Sequence, residues 1–141
     1  EISDKALNYL KENVKLNNAD IAVIQGDVLN RQLQEDMGKF DIIVSNPPYL
    51  TQEDMDTLQT EVTHEPPLAL FGGSDGLDFY RRMTEIWKNS LLNGGWLCYE
   101  YGFGQHDDVK KILEDNRFEN IMLCRDLGGI YRTAAAQKTE V

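Results

Sequence analysis

Residues 41 to 49 read Asp41-Ile42-Ile43-Val44-Ser45-Asn46-Pro47-Pro48-Tyr49, and this stretch decides the fold. Its first half is apolar or β-branched, which predicts a strand. The strand must end at the two prolines, because proline has no N–H to donate and a fixed φ. The following loop then holds an amide side chain, free backbone carbonyls and an aromatic ring. In an open α/β sheet ligands bind at the carboxyl ends of strands, so we expect a binding site here.

The composition of the chain narrows the classes of function. The 141 residues are enough for one domain, and we expect a single domain over residues 1–141. A net charge of −10 argues against a broad phosphate-binding surface, so no direct nucleic-acid partner is expected. No apolar run approaches the roughly 20 residues that span a bilayer, and no signal-peptide pattern is present. The sequence therefore predicts a cytoplasmic protein with no membrane partner.

Cysteine and histidine usage is sparse. Cys98 and Cys124 both lie inside apolar, strand-like runs, which is typical of buried, reduced thiols. The two histidines, His64 and His106, have no neighbouring cysteine and no spaced pair of carboxylates. The sequence therefore predicts no metal site.

Hydrophobic periodicity places the elements along the chain. Ser3 is expected to cap a helix that ends near Leu16, and Thr51 with Asp54 is expected to form a capping box for a helix that runs to about Thr60. Further helices are predicted at 77–92, closed by Gly94-Gly95, and at 109–116. Strands are predicted at 21–24, 41–46, 96–101, 121–124 and 131–137, and residues 30–39 and 61–76 are expected to be turns or ordered loops. This order predicts an α/β fold with a mostly parallel sheet and an antiparallel C-terminal hairpin.

Asn46-Pro47-Pro48-Tyr49 resembles the motif of methyltransferases that use S-adenosylmethionine to methylate planar nitrogens. Their substrates include the amino groups of adenine and guanine and the side-chain amide of glutamine. A second segment, residues 65–82, is similar to the one that follows this motif in release-factor glutamine methyltransferases, the HemK/PrmC family. The loop Glu100-x-Gly102-x-x-Gln105 and the pair Arg125-Asp126 resemble that family as well. The resemblance covers essentially the whole chain.

The resemblance implies a partial Rossmann-like methyltransferase sheet and transfer of a methyl group to a glutamine amide in peptide chain release factors. Asn46, Pro47 and Tyr49 are then the expected catalytic residues. The Asn46 side-chain oxygen and the Pro47 carbonyl would accept the two N–H groups of the substrate amide, and Tyr49 would lie against its plane. Pro48 would stiffen the loop. Glu65 either helps to shape the substrate pocket or is a solvated loop carboxylate.

The resemblance also implies a cofactor side. Glu1 matches the acidic residue that binds the ribose hydroxyls, although a disordered end is an alternative. Asp27 fits the adenine-side acidic residue, or is a plain turn residue. Asn46 would contact the cofactor from the substrate side. The family's glycine-rich cofactor loop and N-terminal helical domain do not match any part of this sequence. We therefore expect an N-terminally truncated fragment that is itself inactive and binds S-adenosylmethionine weakly or not at all.

Truncation has a consequence for the sheet. The family's strand order is 3-2-1-4-5-7-6, which would leave the strand at 21–24 two places away from the strand at 41–45. The 21–24 strand could pair with 41–45, a second copy could fill the gap, or the first 30 residues could be loosely held. We expect rearrangement or a homodimer through exposed sheet edges rather than an open gap.

Two other classes of function stay open. One is a nucleic-acid adenine or guanine amino methyltransferase, because the Asn46–Tyr49 motif alone suits those amino groups too. The other is a non-catalytic interaction module that keeps the fold. The acidic charge and the segment 65–82 disfavour the first, and the intact Asn46–Tyr49 loop disfavours the second.

Overall fold

The computed structural model describes residues 1–139, which form two compact units that divide after Gly38. The first unit contains helix α1 (Asp4–Leu16) and helix α2 (Arg31–Asp36). The Ser3 hydroxyl caps α1 by accepting the Ala6 N–H at 3.3 Å, as the sequence predicts. Helix α2 was not predicted, because six mostly polar residues have no apolar period. Its first turn forms around Asn30, whose side-chain oxygen accepts two backbone N–H groups.

The predicted strand at 21–24 is wrong. Among the described residues this segment is not part of any sheet, so the expected rearrangement onto 41–45 does not occur. Among residues 1–139, the backbone hydrogen bond of this segment is to the start of the chain, where the Glu1 amino group donates to the Ile24 carbonyl at 3.1 Å. The neighbouring Gly26 N–H donates to the Glu1 carbonyl at 3.0 Å. An apolar run becomes a strand only when a neighbouring strand supplies a ladder, and Glu1-Ile2 is too short to do so.

The second unit is built on a four-stranded sheet in the order β1-β2-β4-β3. Its strands are β1 (Phe40–Ser45), β2 (Leu91–Glu100), β3 (Phe118–Arg125) and β4 (Tyr131–Lys138). Strands β1 and β2 pair in parallel, and β4 is antiparallel to both β2 and β3. Strands β1, β2 and β3 therefore run in the same direction. The expected α/β class, mostly parallel direction and antiparallel C-terminal hairpin are confirmed, in the order expected for the last four strands.

Two helices cover one face of this sheet. These are α5 (Asp78–Trp87) and α6 (His106–Asp115). The apolar period that predicts α5 points inward: its Tyr80, Met83, Ile86 and Trp87 are all buried. On the sheet Tyr80 packs against Tyr99 of β2, which is buried together with Leu97 of the same strand. The predicted helix end at Gly94-Gly95 is wrong, because β2 begins at Leu91 and contains both glycines.

Shorter helices fill the chain between β1 and α5. Helix α3 (Gln52–Asp56) has the predicted capping box of Thr51 and Asp54, but it ends earlier than expected. The segment expected to be a loop contains a 3₁₀ turn at Val62–His64 and helix α4 (Pro67–Leu70). Pro67 stands at the first position of α4, where its missing N–H costs nothing.

The opposite face of the sheet is open. Ile42 and Val44 of β1 are 59% and 74% exposed, and Met122 of β3 is 50% exposed. Cys124 is exposed on this face as well, so the expectation that both cysteines are buried is wrong for Cys124. Cys98 is half-buried, and this burial raises the pKa of its thiol. Within residues 1–139 no helix has the length and apolar character that crossing a membrane requires.

The hydroxyl of Tyr80 offers a test of this core. It donates to the Glu100 carbonyl at 2.9 Å from a fully buried ring, which packs edge-on against Tyr99 at 5.2 Å. Tyr80→Phe keeps the ring but leaves a part-buried carbonyl without its donor, so we expect a loss of about 1 kcal/mol in the free energy of unfolding. Urea unfolding followed by tryptophan fluorescence measures it. Tyr131→Phe is the matched control, because the Tyr131 hydroxyl makes no hydrogen bond within residues 1–139. Equal losses in both variants would contradict the prediction.

Candidate functional site

A cavity of about 560 Å³ lies at the carboxyl end of β1. One continuous stretch of chain, residues 46–70, supplies its whole lining. The residues expected to bind substrate, Asn46, Pro47, Pro48, Tyr49 and Glu65, all line it. The other lining residues are Leu50, Asp54, Thr57, Leu58, Gln59, Val62, Ala69 and Leu70. The structure thus brings the predicted substrate-side residues together around one space.

The stretch 51–70 leaves the sheet and returns to the point where it left. The Leu50 N–H donates to the Leu70 carbonyl at 2.9 Å, and the Gly72 N–H donates to the Leu50 carbonyl at 2.8 Å. Leu50 and Phe71 form an isolated parallel bridge through these bonds. The ends of the excursion are therefore fixed side by side, and its helices α3 and α4 become walls of the cavity.

The loop Asn46–Tyr49 presents unpaired acceptors to this cavity. Pro47 is buried, Pro48 and Tyr49 are half-buried, and Asn46 is exposed. Within the described part of the chain, neither the Asn46 side chain nor the Pro47 carbonyl makes a hydrogen bond. Buried or half-buried carbonyls are normally paired, so an unpaired one beside a cavity is available to a ligand N–H.

The Tyr49 carbonyl, at the end of the loop, is paired. The Gln105 side-chain N–H₂ donates to the Tyr49 carbonyl at 3.1 Å and to the Gly76 carbonyl at 3.3 Å. The Gln105 side-chain oxygen accepts the Gly102 N–H at 2.9 Å. Gln105, Gly72 and Gly76 were not among the predicted site residues. A local sequence signal existed for the two glycines, which lie in the glycine-rich run 72–76; in the structure Gly76 has φ +72, a conformation that favours glycine.

An ion pair fixes the loop that carries Gly76. Asp75 and Arg81 pair through both carboxylate oxygens, and the Leu77 N–H donates to Asp75 at 3.1 Å. The Arg81 guanidinium is the main cause that holds the pKa of Asp75 below its ordinary value. A lowered carboxylate pKa contributes stability above the unfolded-state pKa, and this contribution is lost as pH falls through the folded-state pKa. Both side chains are about half exposed, so solvent screening keeps the contribution small.

The acidic groups of the cavity have different surroundings. Asp54 is committed to the capping box, where one oxygen accepts the Thr51 N–H at 2.9 Å and the Thr51 hydroxyl at 2.8 Å. Glu65 is exposed, and its carboxylate makes no hydrogen bond or ion pair among residues 1–139. Glu65 is therefore the carboxylate of the lining that is available to a ligand.

Three residues were expected to contact the cofactor. Glu1 and Asp27 lie in the first unit, and Asn46 lies in the second. One Glu1 carboxylate oxygen accepts the Ser3 N–H at 2.8 Å, and one Asp27 carboxylate oxygen accepts the Leu29 N–H at 2.8 Å. Both side chains are exposed. The Gly26 N–H that bonds to Glu1 precedes Asp27 directly, so these two acidic residues stand near each other within their unit.

Comparison with known proteins gives a consistent result. A family model described as the methyltransferase small domain matches residues 1–71, half of the chain. The release factor glutamine methyltransferase of Fusobacterium nucleatum is 37% identical over 140 residues, which are 98% of this chain and 39% of that protein. The release factor glutamine methyltransferase of Clostridium acetobutylicum is 39% identical over 137 residues, which are 96% of this chain and 45% of that protein. The chain thus spans less than half the length of these two relatives.

A solved structure shares the fold. A methyltransferase from Pyrococcus furiosus superposes with a TM-score of 0.62 at 15% identity, over 99% of this chain and 61% of that chain. At this identity the likeness concerns the fold alone.

Proposed function

Because the chain belongs to the methyltransferase small domain family, we propose that it provides the substrate-binding part of an enzyme that methylates a glutamine side-chain amide in peptide chain release factors. The two relatives described above carry that activity in their names. The observation that carries the proposal is the pair of unpaired acceptors, the Asn46 side-chain oxygen and the Pro47 carbonyl, at the edge of a cavity.

These acceptors suit the chemistry of a primary amide. The amide nitrogen is a poor nucleophile because its lone pair is delocalised into the carbonyl. Two acceptors that each take one N–H fix the plane of the NH₂ group and raise the electron density on nitrogen. The nitrogen must also stand in line with the methyl donor, roughly 3 Å from the methyl carbon. No strong general base is required before attack, since the methylated product is acidic enough to lose its proton to water.

The rest of the cavity would orient the substrate. Pro47 and Pro48 each have a fixed φ, so the loop loses little conformational entropy when a ligand binds. The Tyr49 ring would lie against the planar amide, and the free carboxylate of Glu65 would accept an N–H of the substrate peptide. In this proposal Asn46, Pro47 and Tyr49 act at the reacting amide, and Pro48 and Glu65 contribute to binding.

The methyl group would come from S-adenosylmethionine, whose sulfonium makes the methyl carbon electrophilic. Glu1 and Asp27 are exposed residues, and each accepts a backbone N–H through one carboxylate oxygen, which leaves the second oxygen without a bond in the described part of the chain. Exposed carboxylate oxygens fit the hydroxyl and amino donors of adenosine, so these residues would hold the ribose and adenine. The printed 141 residues do not contain the glycine-rich loop that holds the methionine part in the enzymes the sequence resembles.

We therefore expect weak cofactor binding by the 141-residue chain. Isothermal titration with S-adenosylmethionine should give a dissociation constant of about 1 mM or weaker, because two exposed carboxylates provide few contacts. Asp27→Asn should weaken any measurable binding further. A dissociation constant of about 10 μM or tighter would contradict this prediction.

Substrate recognition can be tested without the cofactor. We expect the 141-residue chain to bind a bacterial peptide chain release factor, and Asn46→Ala to weaken that binding by roughly tenfold, because one N–H acceptor is lost. Asn89→Ala is the matched control, since Asn89 is an exposed asparagine of the same unit outside the cavity. Biolayer interferometry measures all three affinities.

The same experiment separates the two other classes of function. Binding of a DNA or RNA oligonucleotide, but not of the release factor, would favour a nucleic-acid amino methyltransferase, which methyl transfer to that oligonucleotide would establish. Release-factor binding that Asn46→Ala leaves unchanged would favour a non-catalytic interaction module. Absence of release-factor binding by the unsubstituted chain would overturn the proposal.

A second copy of the chain is the further partner that we propose. Strand β1 lies at one end of the sheet order, and its Ile42 and Val44 side chains are exposed beside that edge. Exposed edges with apolar side chains are sites of strand pairing between molecules. A homodimer through this edge would bring these exposed side chains of the two copies next to each other.

We expect sedimentation velocity to find a dimer at tens of micromolar and Val44→Lys to shift it towards monomer, because an edge lysine opposes strand pairing. Leu127→Lys is the control, since Leu127 is fully exposed in the turn between β3 and β4. A monomer at all concentrations, or an equal effect of both substitutions, would reject the dimer.

A further inference from the structure

The side chain of Gln105 connects three separate parts of the second unit. Its N–H₂ group donates to the Tyr49 carbonyl in the loop after β1 and to the Gly76 carbonyl in the loop before α5. Its oxygen accepts the Gly102 N–H in the loop after β2. Each of these bonds is part-buried. One side-chain amide thus satisfies backbone groups from all three loops that meet beside the cavity.

The glycines of these loops allow the close approach. A Cβ on Gly102 would stand 2.8 Å from the Tyr49 ring, and a Cβ on Gly72 would stand 2.6 Å from the Pro48 carbonyl oxygen. A Cβ on Gly76 would overlap the Tyr49 carbonyl oxygen itself. Distances under 3.0 Å do not occur for real Cβ atoms, so side chains at these positions would displace the loop. The space around the Tyr49 peptide is therefore filled by backbone and by Gln105.

The position of the Tyr49 carbonyl is coupled to the acceptors that face the cavity. Pro47 and Pro48 each have a fixed φ, and a residue that precedes proline is restricted to extended backbone. Because Pro47 precedes a proline and Pro48 has a fixed φ, the torsions that remain free between the Pro47 and Tyr49 carbonyls are Pro48 ψ and the φ and ψ of Tyr49. The Tyr49 carbonyl and the Leu50 N–H belong to one peptide unit, which is held by the bond from Gln105 and by the bond to the Leu70 carbonyl. Loss of the Gln105 bond frees one side of this unit and thereby loosens the direction of the Pro47 carbonyl.

We infer that Gln105 is a positioning residue for amide recognition, an inference that rests on the function proposed above. Gln105 occupies the Tyr49 carbonyl and holds the Asn46–Tyr49 loop in the orientation that aims Asn46 and Pro47 at the substrate. It acts through the loop and does not itself line the cavity.

The most specific test replaces the side-chain N–H₂ group of Gln105 by an oxygen. Gln105→Glu keeps the oxygen that accepts the Gly102 N–H but removes the donor to the Tyr49 and Gly76 carbonyls. Gln137→Glu is its match: the Gln137 N–H₂ donates to the Gly94 carbonyl at 2.8 Å, and its oxygen accepts from the Asn120 side chain at 2.8 Å. Both substitutions add one negative charge and remove a donor to a backbone carbonyl, but Gln137 is not part of the cavity or its loops.

Two measurements are made on the full 141-residue chain with each variant. Amide hydrogen exchange of Leu50 and Gly72, whose N–H groups close the excursion, should accelerate roughly tenfold in Gln105→Glu and stay unchanged in Gln137→Glu. Affinity for a bacterial release factor should fall roughly tenfold in Gln105→Glu and stay unchanged in Gln137→Glu. Gln105→Met, which is uncharged and of similar length, should reproduce both effects and serves if the glutamate variant does not fold.

The outcomes separate this inference from the function that it assumes. Unchanged exchange at Leu50 and Gly72 in a folded Gln105 variant overturns the positioning role. Faster exchange with unchanged release-factor affinity overturns the link to recognition. If the unsubstituted chain does not bind the release factor, the proposed function and the link to recognition both fail, and exchange alone decides whether Gln105 positions the loop.

Discussion

The two prolines after β1 are the constraint on which the second unit depends. A strand that runs into Asn46-Pro47-Pro48 cannot continue in the sheet, because neither proline has an N–H for the ladder. The loop therefore leaves the sheet with carbonyls that need partners from elsewhere. Only some of these groups are paired. The Gln105 side chain donates to the Tyr49 carbonyl, whereas the Pro47 carbonyl and the Asn46 side chain have no partner within residues 1–139. The unpaired groups lie where a cavity gives a ligand access to them.

Features specified by neighbouring residues were predicted from the sequence. Helices α1 and α5 have an apolar period, and the caps of α1 and α3 are formed by Ser3 and Thr51 within three residues of the groups that they satisfy. The predicted substrate-side residues of the loop are adjacent in sequence, so finding them required no knowledge of the tertiary structure. Glu65 is distant in sequence from this loop. It lines the same cavity because the backbone hydrogen bonds of Leu50 bring the two ends of the excursion 51–70 together.

Features that depend on distant partners were missed. The apolar run at 21–24 has the composition of a strand but no neighbouring strand among the described residues. The Gly94-Gly95 pair was expected to end a helix, yet both glycines lie in β2, which is paired on both sides. The bond from Gln105 to Tyr49 spans 56 positions of sequence, so no local pattern could reveal it.

The Asn46–Tyr49 loop and the walls of the cavity would contribute differently to substrate specificity. Two acceptors on a rigid loop fit any planar NH₂ group, whether it belongs to adenine or to glutamine, so the Asn46–Tyr49 loop cannot choose its substrate alone. In the proposed function that choice falls to the walls, which come from the excursion 51–70. The excursion is closed at its base by backbone bonds of Leu50 and Gly72, which do not depend on the side chains between them. The side chains of this lining can therefore change without moving the acceptors, so in the proposed function one loop geometry would suit different substrates.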